Sequence, residues 1–471
     1  MLTYQDYLKE GANIPNFVRK AIQQHMQTDM YKIAKSADNY DRQRNETIYN
    51  YVQTIFTATG SKVIDFTAAN NRIASNMYHR LNTQRCTYSL GNGVSFTKHV
   101  EKVRNEKGEE ISVDTTKARL GDDFDNALNE VGYKGLIHGL SFGFWNLDRL
   151  YMFPLTEFVP LWDEDDGRLR AGIRFWRLSD DKPVTAVFYE EDGYTKFHSK
   201  EDSKGFDLIV VEEKRAYKQI YRVSEADGAE IIGTENYGAL PIVPFWGSKL
   251  KQSTLVGMQR AIDSFDLIRS GFANDLTDCA QIYWIISNAM AMSEDELAQF
   301  RDRLKLQHIA VADTDNSSVT PYTQEIPYQA RQVYLEQIRN GIYEDFGGLD
   351  VHTIQAGATN DHIDAAYQAL DENADDFEYQ LIKFIQQILA LIGIDDVPQF
   401  KRNRISNQLE QVQMVAMEAQ WLDDETILKK LPNVTVDEIA GILAKRVTEE
   451  SDRFANIIDG EETEENAQDE V

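Results

Sequence analysis

Cysteine is almost missing from this chain. Cys86 and Cys279 are the only two in 471 residues, and neither sits in a metal-like spacing. Both read as reduced thiols of a cytosolic product, with one long-range disulfide as the alternative. Long hydrophobic runs are also missing. The longest, "FIQQILALIGI", falls short of the ~20 residues that a membrane span needs and keeps two glutamines. The opening "MLTYQDYLKEGANIP" has neither the basic start nor the apolar core of a secretory leader, so a soluble intracellular product is expected, without a membrane partner. Positive charge is scarce as well: 49 Lys and Arg stand against 77 Asp and Glu, for a net charge of −28. Such a field repels free nucleic acid unless basic residues are segregated, because backbone binding needs Lys and Arg to neutralise phosphates.

Catalytic signatures are absent in the same way. The chain has no HExxH, CxxC, GxxxxGK[ST] or GxSxG. Its eight histidines are scattered singly, and His79 and His138 on helical patterns read as structural residues. The best metal-binding candidates are Asp163, Glu164, Asp165 and Asp166. A consecutive run in a turn makes side chains diverge, so a solvated loop is the plainer reading. No metal, cofactor or catalytic residue is expected.

What is present is an ordered, globular composition. Hydrophobic residues make up 42%, rich in Tyr and Phe, over a length that suits roughly two to four packed units. Residues 1 to about 135 read as mostly helical, with "NNRIASNMYHRLNTQRCTYSLGNGVSF" continuing as helix to a Gly-Asn-Gly turn. From about Gly139 to Val243 short, alternating, aromatic-rich strands read as an antiparallel β module. Helix then returns. Leu255, Met258, Ile262, Phe265, Phe272, Leu276 and Cys279 share one stripe near a heptad, with Gly257, Ser264, Ser270 and Gly271 among them to let a neighbouring helix approach. An insert follows with a strand "IYWIIS", a capped helix from "SEDELAQFRDRL" and a strand "HIAVAD". A second helix runs from Pro327 to the Gly347-Gly348 stop.

Behind those glycines lies a small-residue loop, and then a helix with seven carboxylates before its first lysine, Lys383. Asp361, Asp364, Asp371, Asp375 and Glu378 fall on one face, while Ile363, Tyr367, Leu370, Ala374, Phe377, Leu381, Phe384 and Ile388 form the apolar stripe. The acidic face reads either as a solvated side of an amphipathic helix or as a wall that keeps passing DNA from sticking. Periodicity does not separate the two. The tail "IIDGEETEENAQDEV" reads as acidic and disordered.

The order of these pieces resembles the portal proteins of tailed bacteriophages, of the Bacillus siphophage type. The likeness rests on "NNRIASNMYHRLNTQRCTYSLGNGVSF", on "GALPIVPFWGSKLKQSTLVGMQRAIDSFDLIRSGFANDLTDCAQIYWII", on "AGATNDHIDAAYQALDENADDFEYQLIKFIQQIL" and on "VPQFKRNRISN". Together these touch about three quarters of the chain in the right order. The resemblance implies an α+β, mainly helical portal fold with a wing at 1–253, stem helices at 254–280 and 327–348, and a clip at 281–326. It further implies a tunnel loop at 349–360, a long wing helix with return strand at 361–405, a crown at 406–450 and the acidic tail at 451–471.

By that resemblance Val351, His352, Thr353, Ile354 and Gln355 face DNA, and Ile282, Tyr283, Trp284 and Ile285 belong to the clip. The loop departs from a phosphate grip, since it carries no Lys or Arg. The implied function is a ring, dodecameric in the virion, that forms the DNA channel at one capsid vertex. Its implied partners are other copies of itself, double-stranded DNA, the terminase large subunit, a head-completion adaptor, and the major capsid and scaffolding proteins. The implied location is the virion, and the host cytoplasm during assembly. The alternatives are a metal-dependent DNA-processing enzyme and an acidic, DNA-mimicking interaction protein.

Overall fold

The computed structural model describes residues 2–10, 13–56, 60–65, 68–104, 110–200, 207–224, 228–279, 283–287, 295, 318–322, 328–350, 360–402, 404, 408–419, 421–423, 426–428, 431 and 442. Helices α1 (Tyr4–Glu10), α2 (Ile14–Gln27), α3 (Asp29–Asp41) and α4 (Glu46–Tyr49) open the chain. Strands β1 (Thr54–Phe56) and β2 (Lys62–Ile64) come next, then α5 (Met77–Leu90), β3 (Val94–Phe96), β4 (Val100–Arg104), β5 (Glu110–Asp114), α6 (Thr115–Leu120) and α7 (Phe124–His138). The first 135 residues are therefore less helical than expected. The strands that were not expected, β1, β2, β4 and β5, are three to five residues long, too short to show a period, whereas β3 is the V-x-F strand that the family resemblance implied. The stretch 70–76 is not helical either, and α5 begins only at Met77.

The β module comprises β6 (Leu140–Asn146), β7 (Arg149–Pro154), β8 (Phe158–Trp162), β9 (Leu169–Trp176), β10 (Thr185–Glu190), β11 (Gly193–Ser199), β12 (Leu208–Arg215), β13 (Lys218–Ser224), β14 (Gly228–Glu235) and β15 (Ile242–Trp246). Five strands form one antiparallel sheet in the order β12-β11-β10-β9-β8, three form another in the order β15-β6-β7, and β13 pairs with β14. Next come α8 (Leu255–Cys279), β16 (Tyr283–Ser287), β17 (Ser318–Tyr322), α9 (Tyr328–Phe346), α10 (Asn360–Leu391), β18 (Pro398–Phe400) and α11 (Gln408–Glu418). An α+β chain was expected and is found, with antiparallel sheet taking a larger share than "mainly helical" implied. The chain divides into two compact units, Met1–Gly348 with Asn373–Arg402, and Leu349–Glu372 with Asn403–Val471.

The first unit is held by several apolar clusters. Phe17, Val18, Ala21 and Ile22 of α2 cover the five-stranded sheet at Val159, Leu161, Ile173, Phe188 and Phe197. Asn13 starts that helix, its side chain accepting the Asn16 amide, and Pro15 occupies the first turn. Between the two larger sheets, Phe142, Phe144, Phe153, Phe158 and Tyr189 pack ring against ring. On the other side, Phe377, Leu381, Phe384, Ile385 and Ile388 of α10 close over Leu128 and Val131 of α7, Trp145 and Phe245. At Gly143 on β6, α10 comes close: an added Cβ would stand 2.4 Å from Phe384 Cζ.

Polar groups lock the helices that carry this core. Asp38 on α3 accepts from His138 Nε2 at 2.9 Å and from Lys134 Nζ at 2.6 Å, both on α7. Burial by itself would raise the Asp38 pKa, but these two donors override it and hold it at about 2. Its folded value lies below the unfolded one, so its contribution is complete above the unfolded value of about 4 and is lost as pH falls towards 2. Asp38→Asn should therefore cost about 2 kcal/mol at neutral pH and little at about pH 2, measured by denaturant unfolding across that range. Phe384→Ala should cost about 3–5 kcal/mol at any pH in the same assay.

Candidate functional site

The helix pair α8 and α9 carries the clearest division between what this chain buries for itself and what it leaves open. Leu255, Met258, Ile262 and Phe265 of α8 lie in one buried cluster with Tyr40, Tyr78, Leu81 and Ile137, and with Ile342, Tyr343 and Phe346 of α9. The same stripe then emerges from the core. Phe272 is half-buried and Leu276 is 55% exposed. Here the two helices are joined by an ion pair between Asp275 and Arg331, whose guanidinium also lies 5.9 Å from the Phe272 ring centre. Gly257, Gly271 and Gly341 each face open space, with no heavy atom within 4 Å of where a Cβ would stand. The two helices run over Leu255–Cys279 and Tyr328–Phe346, and the apolar stripe of α8 is satisfied internally over its first half only.

A different row of α8 meets an unexpected partner. The stretch Asn71–Ser75 runs antiparallel to the helix as an extended strap. The Ser75 amide donates to Asp266 Oδ1 at 2.9 Å, the Ile73 amide to Ser270 Oγ at 3.0 Å, and the Asn71 amide to Asn274 Oδ1 at 2.5 Å. Asn71 Nδ2 reaches Thr277 Oγ1 one turn further along. The spacing explains the fit: two residues of extended chain rise about 6.6 Å and four residues of helix about 6 Å, so every second amide finds an acceptor. Asp266, Ser270 and Asn274 replace a sheet partner. Ser270, read from sequence as room for a neighbouring helix, is instead taken by the chain's own strap. The signal in the sequence was the polar i, i+4, i+8 row on α8.

Gly347 and Gly348 end α9 as expected. Gly347 adopts φ +64°, and the Gly348 amide returns to Tyr343 O at 2.9 Å. The side chain of Asn373, on α10, donates to Phe346 O at 3.0 Å, covering a carbonyl that the helix end leaves open. The loop residues Val351, His352, Thr353, Ile354 and Gln355 lie outside the described residues.

The acidic face of α10 is not a bare negative wall. Arg402 makes a two-pronged contact with Glu378, Nε to Oε1 at 3.0 Å and Nη2 to Oε2 at 2.9 Å, and also pairs with Asp375. Those carboxylates push the guanidinium pKa still further up against the opposing effect of burial. Arg404 pairs with Asp364 at 3.0 Å and with Asp371. Asp361 is exposed. Four of the five expected acids thus clasp the two arginines of the "FKRNR" segment, a pairing that helical periodicity alone does not reveal.

The other candidates are placed as follows. Asp163 accepts from Gln5 Nε2 at 2.7 Å, Arg170 Nε at 3.1 Å and the Asp165 amide at 2.9 Å, while Asp166 takes Arg170 Nη2 at 2.7 Å. Arginine supplies the cation in this turn. Among the described residues no group of three or more His, Cys, Asp or Glu is placed to hold a metal. Cys86 is free and buried, its thiol pushed by burial up to about 12. In the insert, Tyr283, Trp284 and Ile285 lie on β16, opposite Tyr322, Pro321 and Thr320 of β17. Ile282, the expected helix from Ser293 (apart from residue 295) and the expected strand at 308–313 lie outside the described residues. The β17 partner was missed because Pro321 argues against a strand.

Comparison with known proteins gives this geometry its context. The family described as "Phage portal protein, SPP1 Gp6-like" matches residues 31–462. A "Portal protein" of Clostridium phage phiCD119 is 24% identical over 392 residues, covering 77% of this chain and 82% of that protein. A "Portal protein" of Bacillus phage SPP1 is 24% identical over 450 residues, covering 87% and 82%. A solved structure titled "Neck of native GTA particle computed with C12 symmetry" aligns with a TM-score of 0.38 at 8% identity, over 76% of this chain and 90% of its own; nothing below rests on it.

The chain is a structural component of a tailed-phage particle, the portal at the head–tail connection. Within that class it belongs to the SPP1 Gp6-like phage portal protein family.

The clasp on α10 has a measurable strength. Arg402→Ala should cost about 1–3 kcal/mol, because it strands partly buried carboxylates, and Arg402→Lys should recover only part of it by losing the fork. Arg404→Ala should cost less than about 1 kcal/mol, since Arg404 is itself more exposed than Arg402, 38% against 22%. Denaturant unfolding of the three variants checks the order.

Proposed function

We propose that this portal subunit acts in a closed head-to-tail ring, twelve-fold in the virion, that encloses the channel for double-stranded DNA at one capsid vertex. The observation that supports this reading is the divided stripe of α8. Four of its apolar residues are buried in the subunit, but Phe272 is half-exposed and Leu276 is exposed beside open glycines, a surface suited to another copy. Heterologous contacts of that kind close into rings where the rotation allows. In this reading α8 and α9 are the stem, residues 1–253 and 361–405 the wing, 281–326 the clip that receives the head-completion adaptor, and 406–450 the crown. The terminase large subunit docks during packaging, and capsid and scaffolding proteins surround the wing. Assembly takes place in the host cytoplasm.

Residues 349–360 are the tunnel loop in this reading, touching DNA through Val351, His352, Thr353, Ile354 and Gln355. No cationic side chain is present there to displace counterions, so contact is steric and weakly polar. The arginine-paired face of α10 adds little attraction for phosphate and a weaker repulsion than its carboxylate count suggests.

Two variants test the proposal. Leu276→Arg should leave the folding stability of the isolated subunit nearly unchanged, within about 0.5 kcal/mol, because Leu276 is exposed there. It should abolish the ring in negative-stain images and native mass measurement; intact rings would remove α8 from the interface. Thr353→Lys should leave rings intact and slow or arrest DNA packaging, since about 1 kcal/mol per subunit is multiplied around the channel. Packaging at the wild-type rate would mean that the loop does not face the DNA.

A further inference from the structure

One sheet edge of the first unit is left unpaired inside a groove. β15 ends the three-stranded sheet and pairs with β6 alone. The Trp145 amide donates to Pro241 O at 2.9 Å and the Gly247 amide to Gly139 O at 3.3 Å, which fixes the alternation along the strand. Val243 and Phe245 therefore turn their backbone groups to β6, while Ile242, Pro244 and Trp246 turn theirs outward. Pro244 has no N–H, as suits an edge strand, so the open side offers two amides and three carbonyls. A groove of about 890 Å³ is lined by these same three residues. Trp162 and Leu169 of the five-stranded sheet and Phe384 and Leu391 of α10 supply its apolar walls.

The charge here runs against that of the chain. Lys383 lines the groove and lies 4.3 Å from the Tyr379 ring centre. Lys251 stands 5.0 Å from the ring centre of Trp246, and Lys218 stands 4.5 Å from that of Tyr237, two other lining residues. Among the described residues none of these three lysines has a carboxylate partner. Arg168 and Arg170 are held by Asp163 and Asp166, and Glu191 is the one acid that lines the groove. Unspent lysines beside an apolar slot with bare strand-pairing groups fit an extended, acidic peptide. Nucleic acid would answer the lysines but not the alternating amides and carbonyls.

We propose that the open edge of β15 takes up the acidic segment 449–471 of a second copy of this chain as an added strand. That segment lies outside the described residues and carries ten Asp and Glu against one Arg. Phe454, Ile457 and Ile458 match the apolar walls, and the acids at 459, 461, 462, 464 and 465 follow for the lysines. Strand addition draws affinity from main-chain hydrogen bonds and specificity from the side-chain pockets beside them. The supply of a second copy rests on the ring reading, whereas the groove and its charge belong to one subunit.

The first measurement needs no ring. A fluorescent peptide of residues 449–471 is titrated onto the full chain carrying E461Q/E462Q/E464Q/E465Q, which weakens the chain's own segment and leaves the described residues untouched. Anisotropy should show saturable binding that falls as salt rises, and that weakens by about tenfold with K251E/K383E, two exposed positions. No saturable binding, or equal binding to the K251E/K383E chain, overturns the proposal. So does equal binding of a scrambled peptide of the same composition, which would mean charge alone. The second measurement identifies the copy. With Phe454 replaced by a photo-crosslinking analogue, a mixture of light and heavy-isotope full-length chains should give cross-links between light and heavy copies at the groove. Cross-links confined to single chains, or landing elsewhere, overturn the second copy as occupant. Rings are scored separately in negative-stain images, so loss of the ring and loss of the groove contact are told apart.

Discussion

The seating of α8 in the subunit core is the constraint from which much of this structure follows. Leu255, Met258, Ile262 and Phe265 share one buried cluster with residues of α3, α5, α7 and α9. With the first half fixed, the helix continues beyond the apolar cluster in a direction set by the unit that holds it. Its polar row then organises the strap, and its remaining apolar residues, Phe272 and Leu276, stay partly or largely exposed. A helix of 25 residues does this because the strap takes a polar row of its own, while the buried and the exposed apolar residues follow one another along a single stripe.

The charge balance is easier to understand with the arginines in place. A net charge of −28 predicts repulsion from DNA, and the acid count on α10 seemed to concentrate it. Arg402 and Arg404 instead bind those acids within the chain. Paired charges of this kind contribute only modestly to stability, but they fix where the segment after β18 runs. They also use basic residues that would otherwise be free to hold phosphate.

Long periodic elements were legible in the sequence. The two ends of α8 and of α9 and the apolar stripe of α10 follow from period and from the Gly347-Gly348 stop, because burial of one helical face leaves a regular mark. The strap was not legible. Asn70 to Ser75 carries no period, and its partners on α8 are two hundred residues away, so a run next to a true helix was read as more helix. Short strands such as β1 and β4 failed for the same reason. The acid–arginine pairing was hidden because periodicity shows which side chains share a face and not what stands opposite. Ring closure and the DNA-facing role of 349–360 come from family likeness rather than from local pattern.

The Asn373 side chain caps the last carbonyls of α9, so the end of one helix is fixed to the middle of another. Gly348 and Asn373 are thereby held close together in space, and residues 360–372 between them are already helix. A change of length that keeps this cap and that helix has to fall between Gly348 and Asn360, where closing a flexible connection costs only about 0.6 kcal/mol more for each doubling of length.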